Sequence, residues 1–210
     1  MNIKIFYLRI KRIFSYSFSY IFLEYPRGLD FSMRNKSAGI SLQGSHGYAL
    51  TSKKALQNIL IDIPLRGKSL LDIGSGKGGV ICYAVQLGCK NAAGIEYEEG
   101  LHIRALINIK KLGLDAICES YNVDAQTFDS YENFDIYFMF NPFDDDIYEN
   151  VINKIVLNNK KNVSNEDKFL ICYGGANISS VIKSGYFELV RESVCPERGN
   201  LIRVFKSNKI

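Results

Sequence analysis

The sequence predicts an α/β fold: a doubly wound, mostly parallel seven-stranded sheet with helices on both faces and a carboxy-terminal antiparallel hairpin. Three observations carry this. Residues 69–79 read Ser-Leu-Leu-Asp-Ile-Gly-Ser-Gly-Lys-Gly-Gly, an apolar strand (Leu70, Leu71, Ile73) broken by glycines and followed by a helical apolar pattern over 80–87. Apolar strand-like runs and helical patterns then alternate through residue 173. Finally, two β-prone runs, 186–194 and 201–205, flank Pro196-Glu197-Arg198-Gly199-Asn200, which has hairpin character.

In chain order, residues 1–23 are aromatic and basic. As a helix they place Lys4, Lys11 and Arg12 on one side and Ile3, Phe6, Ile10, Ile13 and Phe14 on the other, although Ile5 and Leu8 blur the separation. The uncharged run 13–23 is too short to span a bilayer, which takes about 20 apolar residues. Two readings fit: an interfacial helix on an anionic membrane, or a helix packed on the domain with its basic side in water. Tyr25-Pro26-Arg27-Gly28 marks a turn. Residues 28–50 are rich in glycine and serine and only weakly patterned.

Thr51 or Ser52 caps a helix whose buried face is Ala55, Leu56, Ile59, Leu60 and Ile63, ended by Pro64 and Gly67. After the first strand, glycine turn and helix, residues 91–95 form a second strand ending at Glu96. A helix over 98–112 stops at Gly113, and a third strand over 115–123 ends at Asp124-Ala125. Residues 134–140 make a continuous apolar strand of the kind found in the middle of a parallel sheet, ending in Asn141-Pro142-Phe143. Asp144, Asp145 and Asp146 suit the first turn of the helix that follows; as oxygen donors they also suit a divalent cation. Residues 160–168 are a polar loop and 169–173 the fifth strand, closed by Gly174-Gly175.

The strand–glycine turn–helix unit brings backbone N–H groups close to a nucleotide-like ligand. The spacing Gly74, Gly76, Gly79 satisfies the dinucleotide fingerprint. A phosphate-cradling P-loop is excluded: Leu71 stands where its first glycine belongs, and Gly78 rather than Ser or Thr follows Lys77. Asp72, two residues before the first glycine, puts negative charge where a diphosphate would lie. It argues for a ligand with a cationic end.

On Asp72, Gly74, Gly76 and Gly78 the sequence resembles the class I S-adenosylmethionine-dependent methyltransferases, whose first motif is Asp/Glu-x-Gly-x-Gly-x-Gly. The resemblance covers residues 51–210 and implies a methyltransferase domain there, with 1–50 as a basic, aromatic segment that includes a cofactor-covering region. It implies S-adenosylmethionine as cofactor, held by Asp72, Gly74, Ser75, Gly76 and Gly78, by Glu96 and Tyr97 after the second strand, and by Asp124 and Ala125 after the third. Glu96, 22 residues after Gly74, would accept hydrogen bonds from ribose hydroxyls; its other reading is an acid in the first turn of the next helix. Asp124 would accept from the adenine amino group. Tyr48 and Thr51 match the segment that closes over the cofactor, or else belong to a plain connecting loop.

Asn141, Pro142 and Phe143 resemble the fourth motif of amino-methylating members, Asn/Asp-Pro-Pro-aromatic, and are the candidate catalytic residues, with Asn141 also touching the cofactor. One proline stands where that motif has two. His46, Asp124 and Asp144 are the candidate bases for an acceptor that needs one, and His102 belongs to a solvated helix face. No resident metal is expected.

The net charge is +4, from 26 basic and 22 acidic residues. Lys4, Arg9, Lys11 and Arg12 precede the first acid, Glu24, so the rest of the chain is formally neutral. A neutral domain lacks the basic footprint of nucleic-acid binders, which makes nucleic acid an unlikely partner. The basic amino terminus instead suits peripheral membrane contact and a glycan or lipid-linked glycan as the O or N acceptor. The alternatives are a protein or small-molecule amine, or a module that binds cofactor without catalysis. The five cysteines, odd in number and without C-x-x-C spacing, read as reduced thiols of a cytoplasmic protein.

Overall fold

The computed structural model of the chain describes residues 18–32, 48–161 and 166–208. Most of the basic amino-terminal segment, and His46, therefore lie outside the described residues. Among those described, no helix is long and apolar enough to cross a membrane.

The first described segment holds a helical turn over Tyr20–Glu24 that runs into a 3-10 turn, Tyr25–Arg27, closed by Gly28 at φ +68°. Helix α1 (Lys53–Ile59) follows, capped by Ser52, whose hydroxyl accepts the Ala55 N–H at 3.1 Å. Then come β1 (Ser69–Ile73), α2 (Gly79–Gln86), β2 (Asn91–Glu96), α3 (Glu99–Lys111), β3 (Cys118–Asn122), β4 (Ile136–Phe140), α4 (Asp145–Lys161), β5 (Phe169–Tyr173), α5 (Ser179–Lys183), β6 (Phe187–Val194) and β7 (Leu201–Ser207). The strands lie in the order β3-β2-β1-β4-β5-β7-β6. The first five are parallel; β7 runs antiparallel to β5, and β6 antiparallel to β7. The predicted seven-stranded α/β sheet with its terminal hairpin is thus the observed one.

Side chains on a strand alternate between the two faces of the sheet. Leu70, Ile136, Phe138 and Ile171 accordingly pack with Leu56, Ile59, Ile81 and Ile109, from α1, α2 and α3. Leu71, Ile73, Tyr137, Met139 and Leu170 pack on the other face with Tyr148, Val151, Ile152 and Ile155 of α4. Leu29 and Phe31 belong to the first of these cores, so residues just after the amino-terminal turn are part of the packed domain. All five cysteines are buried, free thiols.

Several elements are shorter than their sequence patterns. α1 stops at Ile59, with a turn carrying the chain to Pro64. β3 starts at Cys118 because residues 114–117 form a turn, with the Cys118 N–H bonded to Leu114 O at 2.8 Å. Apolar alternation extends through such turns, so it marks the element but not its ends.

The sheet reverses its order between β1 and β4, with β2 and β3 to one side and β5 to the other. In open α/β sheets that switch point, at the carboxyl ends of the strands, is where ligands bind. Gly94 of β2 faces Asp72 across the ladder. A Cβ at Gly94 would lie 2.4 Å from both Ile81 Cδ1 and Ser75 Cβ. Gly94→Ala should therefore destabilise the fold by about 1 to 3 kcal/mol, the usual cost of overpacking, read as a lower denaturation midpoint with an unchanged slope. A wild-type midpoint would mean that the β1–α2 turn moves aside freely.

Candidate active site

The turn leaving β1 is held from β2: the N–H groups of Gly74 and Ser75 both donate to Ile95 O at 2.9 Å. Gly74, Gly76 and Gly78 have φ of +81°, +54° and +77°. Side chains rarely adopt this backbone, and each glycine is also crowded. Added Cβ atoms would meet Pro142 at 2.7 Å from Gly74 and the Tyr48 ring at 2.4 Å from Gly76. Proline and tyrosine therefore rest directly on the turn.

These residues border a cavity of about 340 Å³. Of the residues singled out from sequence, Tyr48, Thr51, Asp72, Gly74, Ser75, Gly76, Glu96, Tyr97, Asp124, Ala125, Asn141, Pro142 and Phe143 all line it. Gly78 does not: its missing side chain gives room to Ala105 of α3, 3.1 Å from where a Cβ would sit, while Gly79 takes the place at the cavity wall. A motif read at fixed spacing cannot tell a glycine needed for helix packing from one needed for ligand approach. His102 is half-buried, with Nδ1 2.9 Å from Ser120 Oγ, not on an open face.

Among the described residues the charged lining is acidic: Asp72, Glu96, Glu98 and Asp124. Asp72 is 3% exposed. Burial, reinforced by the charge of Glu96, pushes its carboxyl well above the ordinary range. Glu96 is raised too, by burial, against the pull of backbone hydrogen bonds. Its two oxygens accept from Gly76 N at 2.7 Å and Glu98 N at 2.9 Å, so this side chain ties the end of β2 to the glycine turn. Glu96 thus serves the start of the next helix as well as the turn, while the helix cap is Glu98, which accepts from Gly100 and Leu101 N–H. The Ser75 hydroxyl is buried without a partner among the described residues. Asp124 folds its own loop, with Oδ1 accepting Gln126 N–H at 2.8 Å. The Ala125 carbonyl is fixed by Tyr131 OH at 2.7 Å.

At the far end, Asn141 closes β4 with φ +45°, the one non-glycine residue at positive φ among those described. Asparagine tolerates this conformation better than most residues. Phe143 and Ile147 extend the apolar wall, and Phe140 stacks on Tyr173 with ring centroids 4.5 Å apart. Asp145 and Asp146 lie in the first turn of α4, where Asp145 accepts from Asn177 Nδ2 at 3.0 Å.

Three residues that the sequence did not single out shape the turn from behind. Lys77 is fully buried, does not line the cavity, and places Nζ 2.7 Å from Asp30 Oδ1. Asn108 of α3 accepts Asp30 N–H at 2.9 Å and donates to the carbonyls of Asp30 and Lys77, both at 3.0 Å. A lysine inside a glycine turn is a visible signal, but partners 31 and 47 residues away are not.

No protein-family model matches the sequence, and no curated protein matches it by sequence. Solved structures do match. An RNA methyltransferase from Salinibacter ruber, in complex with S-adenosylhomocysteine, superposes with a TM-score of 0.62 at 15% identity, over 77% of this chain and 95% of the other. The chain has the class I methyltransferase fold. A putative tRNA methyltransferase from Streptococcus pneumoniae gives 0.58 at 19% identity, over 77% and 72%. A magnesium protoporphyrin IX methyltransferase from Synechocystis, with S-adenosylmethionine bound, gives 0.54 at 14%, over 72% and 74%.

These neighbours overturn the expectation that nucleic acid is an unlikely partner, because two of them are named for RNA or tRNA methylation. That expectation rested on formal charge. A sum over residues carries no information about where charges lie on a surface, so it could not exclude this class of acceptor.

The acidic cavity carries a pH dependence of definite sign. Asp72 and Glu96, both raised, hold protons above the usual carboxylate range, and the folded state loses stability as pH rises and the buried charges form. A cationic ligand favours the ionised forms. Its affinity should increase with pH through the same range, with protons released on binding at the acidic end. Calorimetric titration in buffers of different ionisation enthalpy measures this; affinity independent of pH, with no proton release, would refute it.

Proposed function

We propose that the protein transfers a methyl group from S-adenosylmethionine. The observation that carries this is the pairing of a glycine turn at the sheet's switch point with a cavity whose charged lining, among the described residues, is acidic. The buried Asp72 opposes a diphosphate and suits a ligand with a cationic end. The residues present fit such a ligand. Glu96, already seated on Gly76 N, retains lone pairs for two ribose hydroxyls. Asp124 faces the adenine end, and the backbone around Ala125 supplies its wall. Tyr48 and Thr51 cover the site, Ser75 offers its unpartnered hydroxyl, and Asp72 compensates positive charge.

Bound there, the cofactor supplies an activated methyl group, so the chain's task is alignment more than activation. Asn141, Pro142 and Phe143 would receive the acceptor. The Asn141 side chain presents an amide oxygen at the strand tip for an N–H of a nitrogen acceptor, and Phe143 presents a flat apolar surface beside it. A nucleic-acid base has this chemistry, as does a small-molecule amine. A glycan or lipid-linked glycan gains no support from the structural neighbours.

Titration should show S-adenosylhomocysteine binding and no heat from NADH; the reverse would defeat the proposal. Glu96→Ala should weaken S-adenosylhomocysteine by about 1.5 to 3 kcal/mol, the scale of hydrogen bonds to a charged group. Phe143→Ala should lower turnover on an acceptor while S-adenosylhomocysteine affinity stays near wild type, and Asn141→Ala should lower turnover by more than it lowers that affinity. If both variants instead lose stability and keep the specific activity of their folded fraction, these residues serve only the turn.

A further inference from the structure

The Lys77 ammonium is fully buried, and a buried ammonium is tolerated only when matched by a carboxylate and hydrogen bonds. Stability alone gives little reason to keep it, because a well-packed apolar pair in such a place often serves as well or better. What the pair fixes is geometry. Asp30 receives Nζ at 2.7 Å, and Asn108 ties the carbonyl of Lys77 to both the N–H and the carbonyl of Asp30. Tyr48 makes a second tie across the same boundary. Its hydroxyl donates to Phe31 O at 2.6 Å, its ring covers Gly76, and Lys77 Nζ lies 5.5 Å from the ring centre. Burial raises the Tyr48 phenol well above its ordinary value, which keeps it a donor. The segment carrying Asp30 and Phe31 is itself folded around buried Glu24, whose carboxylate accepts the N–H groups of Phe31 at 2.7 Å and Ser32 at 2.8 Å.

We infer that Asp30, Lys77 and Asn108 are positioning residues for the glycine turn, and that docking of residues 29–32 is coupled to occupancy of the cavity. The coupling is reciprocal: whatever loosens the segment weakens the ligand, and the ligand tightens the segment. This rests on the reading of the cavity as the S-adenosylmethionine site. The path is short and specific. The segment holds Lys77 and Tyr48; these set the backbone of Gly76 and the cover over it; Gly76 N is the donor that seats Glu96.

The test combines S-adenosylhomocysteine titration with amide hydrogen exchange on the full chain. Asp30→Asn should lower S-adenosylhomocysteine affinity about tenfold, within the usual range of coupling between sites, and should speed exchange at the amides of Gly76 and Gly78. Tyr48→Phe, which keeps the ring and removes only the tie to Phe31, should act in the same direction and serves if Asp30→Asn fails to fold. Arg104→Ala is the control, because Arg104 approaches the same Asp30 from the solvent side at 3.6 Å and should leave affinity near wild type. In the wild type, S-adenosylhomocysteine should slow exchange over residues 29–32. Variants that melt earlier yet keep wild-type affinity and wild-type exchange in the turn would overturn the inference. Failure of the wild type to bind S-adenosylhomocysteine would instead remove the cofactor assignment, and exchange in the unliganded variants would still decide whether the segment holds the turn.

Discussion

Two backbone N–H groups, from Gly74 and Ser75, converge on the single carbonyl of Ile95, and the site is built outward from that seat. The turn can reach Ile95 only because Gly94, next to it on β2, leaves space for Ser75 and Ile81. Once seated, the turn needs positive φ at Gly74, Gly76 and Gly78 to reverse and enter α2. The same reversal points Gly76 N at Glu96 and leaves Gly74 open to Pro142 from β4. Strands β1, β2 and β4 are thus joined at their carboxyl ends by one loop, whose conformation all three specify.

The electrostatics work against folding and in favour of binding. Carboxylates are costly to bury, yet the cavity gathers four acids and no basic side chain among its described lining residues. Glu96 is partly relieved by two backbone donors, whereas Asp72 makes no ion pair among the described residues and is raised by burial and by the charge of Glu96. Both shifts favour the protonated forms, and a cation bound in the cavity would favour the ionised ones. The buried Lys77 shows the opposite solution on the other side of the same turn. Burial pulls its ammonium down, and Asp30 opposes that pull. The turn therefore has an acidic front that faces the cavity and a neutralised back that faces the protein.

Much of this was legible in the sequence, for physical reasons that differ by residue. Leu70, Leu71 and Ile73 announce a buried strand because both faces of a central parallel strand are covered. Asp72 stands out because a carboxylate in an apolar strand is costly to bury, and Glu96 because it ends the second strand 22 residues after Gly74. The hairpin of β6 and β7 is visible from local turn chemistry. Local signals failed where the cause is distant. The buried face of the 28–32 segment depends on Asn108 and Lys77, and Gly78 looks like a ligand contact until Ala105 is placed beside it. Bulk charge failed for a different reason, since it averages away the arrangement on which partner choice depends.

The two ends of the cavity differ in how firmly they are built, and that difference bears on which end sets specificity. At the end bordered by Asp72 and Glu96 the walls are strand termini and backbone hydrogen bonds within the sheet, which leave little latitude. At the Asn141 end the walls are loops. Asn141 and Gly174 both take positive φ, and a Cβ on Gly174 would sit 3.3 Å from that of Asn141, so the loops after β4 and β5 rest on one another. A residue held in a sparsely populated backbone region persists only where its surroundings over-determine it, and such residues gather at functional sites. Here the surroundings are Gly174 on one side and Pro142, packed against Gly74, on the other. The Asn141 amide is therefore placed by contacts from both halves of the sheet. The chain thus has one cavity end that the sheet dictates and another that a few loop residues can redefine; under the function proposed above these would receive cofactor and acceptor, and structural neighbours named for RNA and for a protoporphyrin share the architecture.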